Sequence, residues 1–398
     1  MPKDTTSPFT PGRPVPVELF VGRAEEIERL RRKVRDAVAA PRVEVAFVTG
    51  ERGIGKSSLA SFVRFLGERD HQVLGVHALL GGITTVEDAV KRVFDRLLKE
   101  HTANGLLDSM KEMFGKHVRK VGLFGMTWEF DPPERELRHL ANNFSAALRN
   151  VLDKAEGKKG IVLILDDING LADSDTFANW FKSLVDEIST SREPLPLCVF
   201  LVGLDERRRS LIARQPSLAR VFDPVDIRVW SSEESRSFFE QTFKKVEISC
   251  EPGALDRMTH YTGGLPVLAH EIGDAVFSTD NDGLIDRKDA GMGVFAAADI
   301  VGRRYLDPLV YDSIRSTRYR EILRQITRIY ANEQFTRADV RASLADKEKR
   351  VFDNFLEKMK DLGVIVQDSE GSRGAYQFSN RLHYLYFFMQ AEKPDRED

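Results

Sequence analysis

The chain has 398 residues, 42% of them hydrophobic and 30% charged, which is the composition of folded globular domains and too much chain for one ordinary core. Its net charge of −3 shows no segregation of sign, which excludes a surface that acts as a whole as a trap for nucleic acid while leaving room for a local basic patch. No apolar run approaches the roughly 20 residues of a membrane-spanning helix, and the N-terminal stretch lacks the apolar core of a signal peptide, so a soluble cytoplasmic protein is expected.

The first sixteen residues carry five prolines and no periodicity, and residues 1–22 read as an extended arm. Ile27, Leu30, Val34 and Val38 then recur at helical spacing between charged neighbours, predicting an amphipathic helix of about four turns. The run VEVAFVT at 43–49 ends in glycine, the pattern of a strand buried on both faces of a parallel sheet. Strand and helix patterns alternate from there. QVLGVHALL precedes a helix carrying Val86, Val90, Val93, Phe94, Leu97 and Leu98. A helical stretch over 137–152 leads into the strand GIVLILDD, the helix of Phe177, Trp180, Phe181, Leu184 and Ile188 leads into LPLCVFLVG, and a last strand is expected around VDIRVW. Such alternation predicts one α/β domain over 23–230, a parallel sheet with helices on both faces. Within it, residues 101–132 hold no clear pattern, and KVGLFGMTWEF reads either as a hairpin or as a surface insertion.

At Ser231 the texture changes. Ser231 and Glu234 form a capping-box pattern, and the helical segments that follow predict a small helical lid over 231–304. Residues 305–392 hold three helical segments and two short strands, VIVQ and AYQFS, joined by DSEGSRG, a winged-helix pattern. Thr336 is placed to cap its second helix, with Phe335 and Val340 stapling across the cap.

The segment Gly50-Glu51-Arg52-Gly53-Ile54-Gly55-Lys56-Ser57 matches the phosphate-loop pattern G-x-x-x-x-G-K-[ST] and lies between a buried strand and an amphipathic helix. Backbone N–H groups of such a loop, with Ser58 following in the helix N-terminus, cradle phosphate oxygens because they present unpaired donors and positive partial charge. Lys56 is expected to reach the β- and γ-phosphates, and Ser57 to ligate Mg²⁺. A second element must hold the far side of the metal. The aliphatic run 161–165 ends in Asp166 and Asp167, and acids at the C-terminal end of a buried strand face the crevice where ligands bind in open α/β sheets. Asp166 is expected to hold Mg²⁺ through water, and Asp167 to polarise the attacking water. The plain alternative for both acids is the start of a solvent loop.

FVGRAEEIERL, GERGIGKS, VLILDDI and the helical lid together resemble prokaryotic AAA+ ATPases related to the origin-recognition initiators and the overlapping STAND group of signalling ATPases. The resemblance implies ATP or ADP with Mg²⁺ as ligands, and it puts Val21, Gly22 and Arg23 near the adenine and ribose. Read alone, Gly22 is a helix-start glycine. Two departures point toward the STAND side: the acid pair is Asp-Asp rather than Asp-Glu, and the lid carries Gly263-Gly264-Leu265-Pro266 where initiators place an arginine. The resemblance then makes Pro266 the adenine contact, although a helix-start proline needs no ligand. SLARVFDPVDIRV resembles the arginine-finger segment of AAA+ rings, implying that Arg220 faces a neighbouring subunit's γ-phosphate. The alternative pairs Arg220 with Asp223. Asp205 is a weak counterpart of the polar γ-phosphate sensor, and Arg207-Arg208-Arg209 reads as a solvated helix face.

No zinc-protease, zinc-finger or serine-hydrolase motif occurs, and Cys198 and Cys250 have no disulfide or metal spacing. The expected function is therefore an ATP-binding, slowly hydrolysing switch whose nucleotide state controls homo-oligomerisation and engagement of a protein partner. The alternative is ATP-gated binding of duplex DNA by the winged helix. The third helix of that pattern carries Asp353, Asn354, Glu357, Lys358, Lys360 and Asp361, a nearly cancelling charge that favours a protein partner over phosphate backbone.

Overall fold

A computed structural model describes residues 6–13, 20–100, 111–112, 114–121, 127–329, 334–367 and 374–392. The chain divides into two compact units, residues 14–228 and residues 229–398 together with 1–13. Among the described residues, no helix is long and apolar enough to cross a membrane.

The first unit is built on five parallel strands: β1 (Val43–Thr49), β2 (Val73–Leu79), β5 (Gly160–Asp166), β6 (Leu197–Val202) and β7 (Asp223–Asp226), in the order β2-β5-β6-β1-β7. Every residue of β5 and β6 is buried, which is why their sequences are continuous apolar runs and not alternating ones. Helices Ala24–Ala39, Lys56–His71, Val86–Glu100 and Asp175–Thr190 cover the sheet with the apolar faces expected of them. The first presents Leu30, Val34 and Ala37 to the core, and the last is capped by Ser174, whose hydroxyl accepts from Phe177 N–H. The stretch over 137–152 is two helices, Glu134–Asn142 and Phe144–Lys154, both anchored by buried leucines.

Part of KVGLFGMTWEF is a hairpin. β3 (Val118–Val121) pairs antiparallel with β4 (Thr127–Phe130), and Phe130 joins Phe94 and Phe144 in the core. The final strand ends at Asp226, two residues into the VDIRVW pattern: Ile227 N–H makes the last bond to β1 at Thr49 O, and beyond it Arg228 O accepts from the Arg23 side chain.

In the second unit the capping box at Ser231 is present, Ser231 accepting from Glu234 N–H while Glu234 bonds back. Helices Ser232–Lys244, Pro252–Thr262, Pro266–Thr279 and Arg287–Val301 follow, with a two-residue parallel pairing of Ser249–Cys250 and Leu284–Ile285 among them. The remainder has the three expected helices, Thr317–Ile329, Arg337–Ser343 and Phe352–Asp361, and also Gly302–Tyr311, Asp346–Lys349 and Arg381–Glu392, which the sequence reading does not include. It also has a three-stranded antiparallel sheet in which Ala375–Phe378 lies between Gln334–Thr336 and Ile365–Gln367. The strand Gln334–Thr336 is additional to the two read from sequence; Thr336 both ends it and caps the next helix. Of the turn DSEGSRG, residues 368–373 lie outside the described residues.

Residues 6–13, whose prolines suggest a loose arm, are tied into this second unit. Phe9 is 4% exposed and meets Phe238, Phe239, Phe243 and the His270 ring edge-on or tilted, 4.9 to 6.3 Å between centroids. Thr10 N–H donates to His270 Nδ1 at 3.1 Å. Gly273 makes the slot: a Cβ there would come within 2.2 Å of the Phe9 ring. One buried aromatic outweighs the prolines, because burying a large apolar side chain stabilises by about 1.5–3 kcal/mol.

Burial pushes His270 and His383 down to about 4 from an ordinary 6.5. Below pH 6.5 the unfolded chain takes up protons that the folded unit refuses until about pH 4, so stability present above pH 6.5 is lost as pH falls across that window. The expected slope is about 1.4 kcal/mol per pH unit for each histidine. Urea midpoints between pH 7 and pH 4.5 should fall accordingly, and less steeply in His270→Gln.

Candidate functional site

The site is assembled at the C-terminal edge of the parallel sheet, where β1 gives way to the glycine loop. Gly50, Gly53 and Gly55 hold φ of 142°, 75° and 94°, in the left-handed half of backbone space that side chains resist. Gly50 has a second reason: a Cβ would stand 2.8 Å from Ile227 O and 3.1 Å from the Ile54 side chain. The helix ladder begins with Leu59 N–H to Gly55 O, 2.9 Å, so the N–H groups of Lys56 and Ser57 precede it and point out of the helix end. Lys56 Nζ donates to Gly50 O at 2.8 Å and to Glu51 O at 2.7 Å. Burial holds its amine below the ordinary value, offset in part by the charge of Asp166.

Arg23 is 5% exposed and sits at the start of the first helix with φ 64°. Its Nη2 donates to Ile54 O in the glycine loop at 2.6 Å, and its Nη1 to Arg228 O at 2.9 Å. The guanidinium thus braces the loop against the segment by which the chain leaves the first unit. Val21 and Gly22 immediately precede it, and Gly22 has φ 77°, so two consecutive left-handed residues turn the chain into the helix.

Asp166 closes β5 and is 3% exposed. Its Oδ2 is 2.8 Å from His77 Nε2 on the neighbouring strand β2, and its Oδ1 makes no hydrogen bond among the described residues. The next residue, Asp167, is exposed and left-handed, φ 57°; its Oδ1 accepts from Asn169 Nδ2, and its Oδ2 faces Gly81, where a Cβ would come within 2.9 Å. Both carboxylates raise the Lys56 proton affinity through space, which ties the two acids and the loop into one electrostatic cluster. His77 escaped the sequence reading; the available signal was a lone imidazole inside the otherwise apolar run QVLGVHALL.

The donor set suits Mg²⁺. A hydroxyl from Ser57 and one carboxylate from Asp166 are hard oxygen ligands, and Mg²⁺ characteristically takes one or two such groups together with phosphates and water. Among the described residues there is no cluster of three acids, histidines or cysteines that would suit a fully protein-held ion.

One of the expected residues lies elsewhere in the first unit, and another belongs to the second unit. Arg220, exposed and without a side-chain hydrogen bond or ion pair among the described residues, borders a cleft with Lys33, Val43, Glu44 and Asp223. That cleft flanks the start of β1, and at about 3.3 Å per strand residue the glycine loop is on the order of 20 Å away. The alternative partner, Asp223, is bound instead by Arg29 and by Lys33 at 3.1 Å. Pro266 belongs to the second unit. It starts its helix after Gly263 and Gly264, and Gly264 O accepts from Trp230 N–H at 2.8 Å. Asp205 is occupied at its own helix start by Arg208 and Arg209, and Arg207 by Asp173, which neutralises the arginine run.

The loop, the acids and the sheet order occupy a segment with a recognisable signature. Residues 19–200 match the family model of the AAA ATPase domain. No curated protein matches the chain. Among solved structures, the chain is similar to the Walker-type ATPase of Pyrococcus abyssi, at 16% identity and TM-score 0.54, covering 93% of this chain and 96% of that one. It is also similar to the ORC2 protein of Aeropyrum pernix, solved in ADPNP–ADP complexes, at 14% identity and TM-score 0.57, covering 96% and 94%. At these identities the likeness concerns the fold. The first unit has the fold of a P-loop AAA+ ATPase.

Gly50→Ala should remove nucleotide binding measured by calorimetry while the protein still unfolds cooperatively, because the added methyl meets Ile227 O in a conformation that alanine avoids.

Proposed function

We propose that the protein is an ATP-driven molecular switch that binds Mg-ATP, hydrolyses it slowly, and uses its nucleotide state to control self-association and engagement of a partner protein. The observation that carries this reading is the Arg23 brace, since the same guanidinium holds the glycine loop at Ile54 and the exit segment at Arg228. A phosphate that rearranges the loop must also act on the point where the chain leaves the ATPase unit.

In this reading Lys56 binds the β- and γ-phosphates, Gly50 through Ser58 cradle them with backbone donors, and Ser57 and Asp166 hold Mg²⁺. The metal supplies charge neutralisation between the phosphates. Asp167 orients and polarises the attacking water, and as an aspartate its carboxylate reaches one methylene less far than a glutamate, which favours slow turnover. Val21, Gly22 and Arg23 border the base and ribose, with Pro266 as the adenine contact of a STAND-type lid. Arg220 acts in trans. Its exposure, its lack of a side-chain partner among the described residues and its distance from the loop of its own chain all support a role at a subunit boundary.

The C-terminal helices and their three-stranded sheet support a winged helix acting as a docking face. Arg337 and Arg341, the best candidates for phosphate contacts, both pair with Asp353, at 2.8 and 3.5 Å, which weakens the reading in which this unit grips duplex DNA. Fluorescence anisotropy of a labelled duplex at two salt concentrations, with and without a non-hydrolysable ATP analogue, separates the two. Binding that requires the analogue and falls steeply with salt would replace the protein partner by DNA.

Lys56→Ala should abolish nucleotide binding by calorimetry without lowering the unfolding midpoint, and unchanged affinity would remove the assignment. Arg220→Ala should leave nucleotide affinity intact and lower the turnover of the assembled protein by roughly 10³ to 10⁵, as loss of a trans-acting arginine does elsewhere. Equal turnover would return Arg220 to the surface.

A further inference from the structure

The acid that ends β5 has a partner that the phosphate-loop pattern does not require. His77 on β2 is in register with Ile164, and side chains two apart on a strand share a face, so His77, Ile164 and Asp166 point to the same side of the sheet. The imidazole therefore lies diagonally beside the carboxylate, with Nε2 2.8 Å from Asp166 Oδ2. Both groups are screened from water, the His77 side chain 12% and the Asp166 side chain 4% exposed. A hydrogen bond in such surroundings restrains rotation more than it would in solvent. The backbone around the pair is itself held: His77 O accepts from Arg96 Nε at 3.0 Å, and Leu80 N–H donates to Asp166 O at 2.7 Å. The ends of β2 and β5 are thus fixed against each other, which sets the distance between the backbones that carry the imidazole and the carboxylate.

We infer that His77 is a positioning residue for the metal-holding acid: its Nε2–H donates to Asp166 Oδ2 and leaves Oδ1 as the oxygen presented to the Mg²⁺ water shell. The inference rests on the reading of Asp166 as the acid that holds Mg²⁺. Lys56, the other charged neighbour, acts on Asp166 through space and makes its own hydrogen bonds to Gly50 O and Glu51 O, so it does not set the carboxylate's rotation. Groups that orient metal-binding side chains in this way typically change metal affinity by about 10- to 100-fold when removed. The cost of ordering Asp166 is met in the folded protein before nucleotide arrives. A site prepared in this way should be more sensitive to loss of His77 in its metal dependence than in its grip on the nucleotide itself.

The test uses full-length protein and a fluorescent, non-hydrolysable ATP analogue, titrated with Mg²⁺ and separately measured in EDTA. His77→Ala should raise the Mg²⁺ concentration for half-maximal effect by about 10-fold or more, with metal-free analogue affinity unchanged. His77→Gln, which keeps an amide donor, should recover most of the shift, and adding His77→Ala to Asp166→Asn should shift nothing further. Mg²⁺ dependence equal to that of the parent in both His77 variants overturns the inference, as does a parallel loss of metal-free binding, which would mark a purely structural role. Asp166→Asn alone separates the two levels. If it leaves Mg²⁺ dependence untouched, the reading of Asp166 fails and the inference with it. If it shifts the dependence while His77→Ala does not, only the inference fails.

Discussion

A guanidinium buried among backbone carbonyls is the constraint around which the first unit is organised. Burying a charge is expensive unless its hydrogen bonds are met, and at 5% exposure Arg23 meets part of that need at Ile54 O and Arg228 O. That requirement brings together three pieces of chain far apart in sequence: the entrance to the first helix, the glycine loop and the exit from β7. Ile227 reinforces the same junction, donating its N–H to Thr49 O while its carbonyl crowds Gly50. The loop is consequently not a free appendage of β1 but one wall of a joint.

The chemistry follows from what a parallel sheet does with its strand ends. All five strands end on one edge, so the loop after β1 and the acids after β5 converge without any special device, although β6 lies between them. The strand between is apolar throughout, which keeps the floor of the site dry and the charges of Lys56, Asp166 and Asp167 effective on one another. Arg220 stands near the opposite edge of the sheet, beside the cleft that flanks the start of β1.

The glycine loop could be read from sequence because its pattern is local: three glycines adopt backbone conformations that other residues resist, and the lysine and serine follow at fixed spacing. Buried strands were legible for the same reason, β5 and β6 being unbroken aliphatic runs. His77 was not, since its pairing with Asp166 depends on cross-strand register, and register is settled by the packing of the whole sheet. The strand Gln334–Thr336 was missed because three residues are too few for a period to show, and its partner lies about forty positions away. Phe9 was obscured by neighbouring prolines that describe the local chain correctly and say nothing of a slot opened by Gly273. Residues 101–132 show no periodicity, and the antiparallel pair of strands described within them places apolar Phe130 against Phe94 and Phe144, which come from separate helices.

The second unit is discontinuous: one piece of it, residues 1–13, precedes the whole first unit in the chain, and Thr10 finds His270 across 260 positions. During synthesis, Phe9 emerges long before the aromatic residues that bury it. At about 5–20 residues per second the wait is on the order of ten to fifty seconds, during which the whole sequence of the first unit is made. Until then Phe9 stays unburied. Completion of Phe243 and His270 closes the slot, so burial of Phe9 reports that the helices around it have folded.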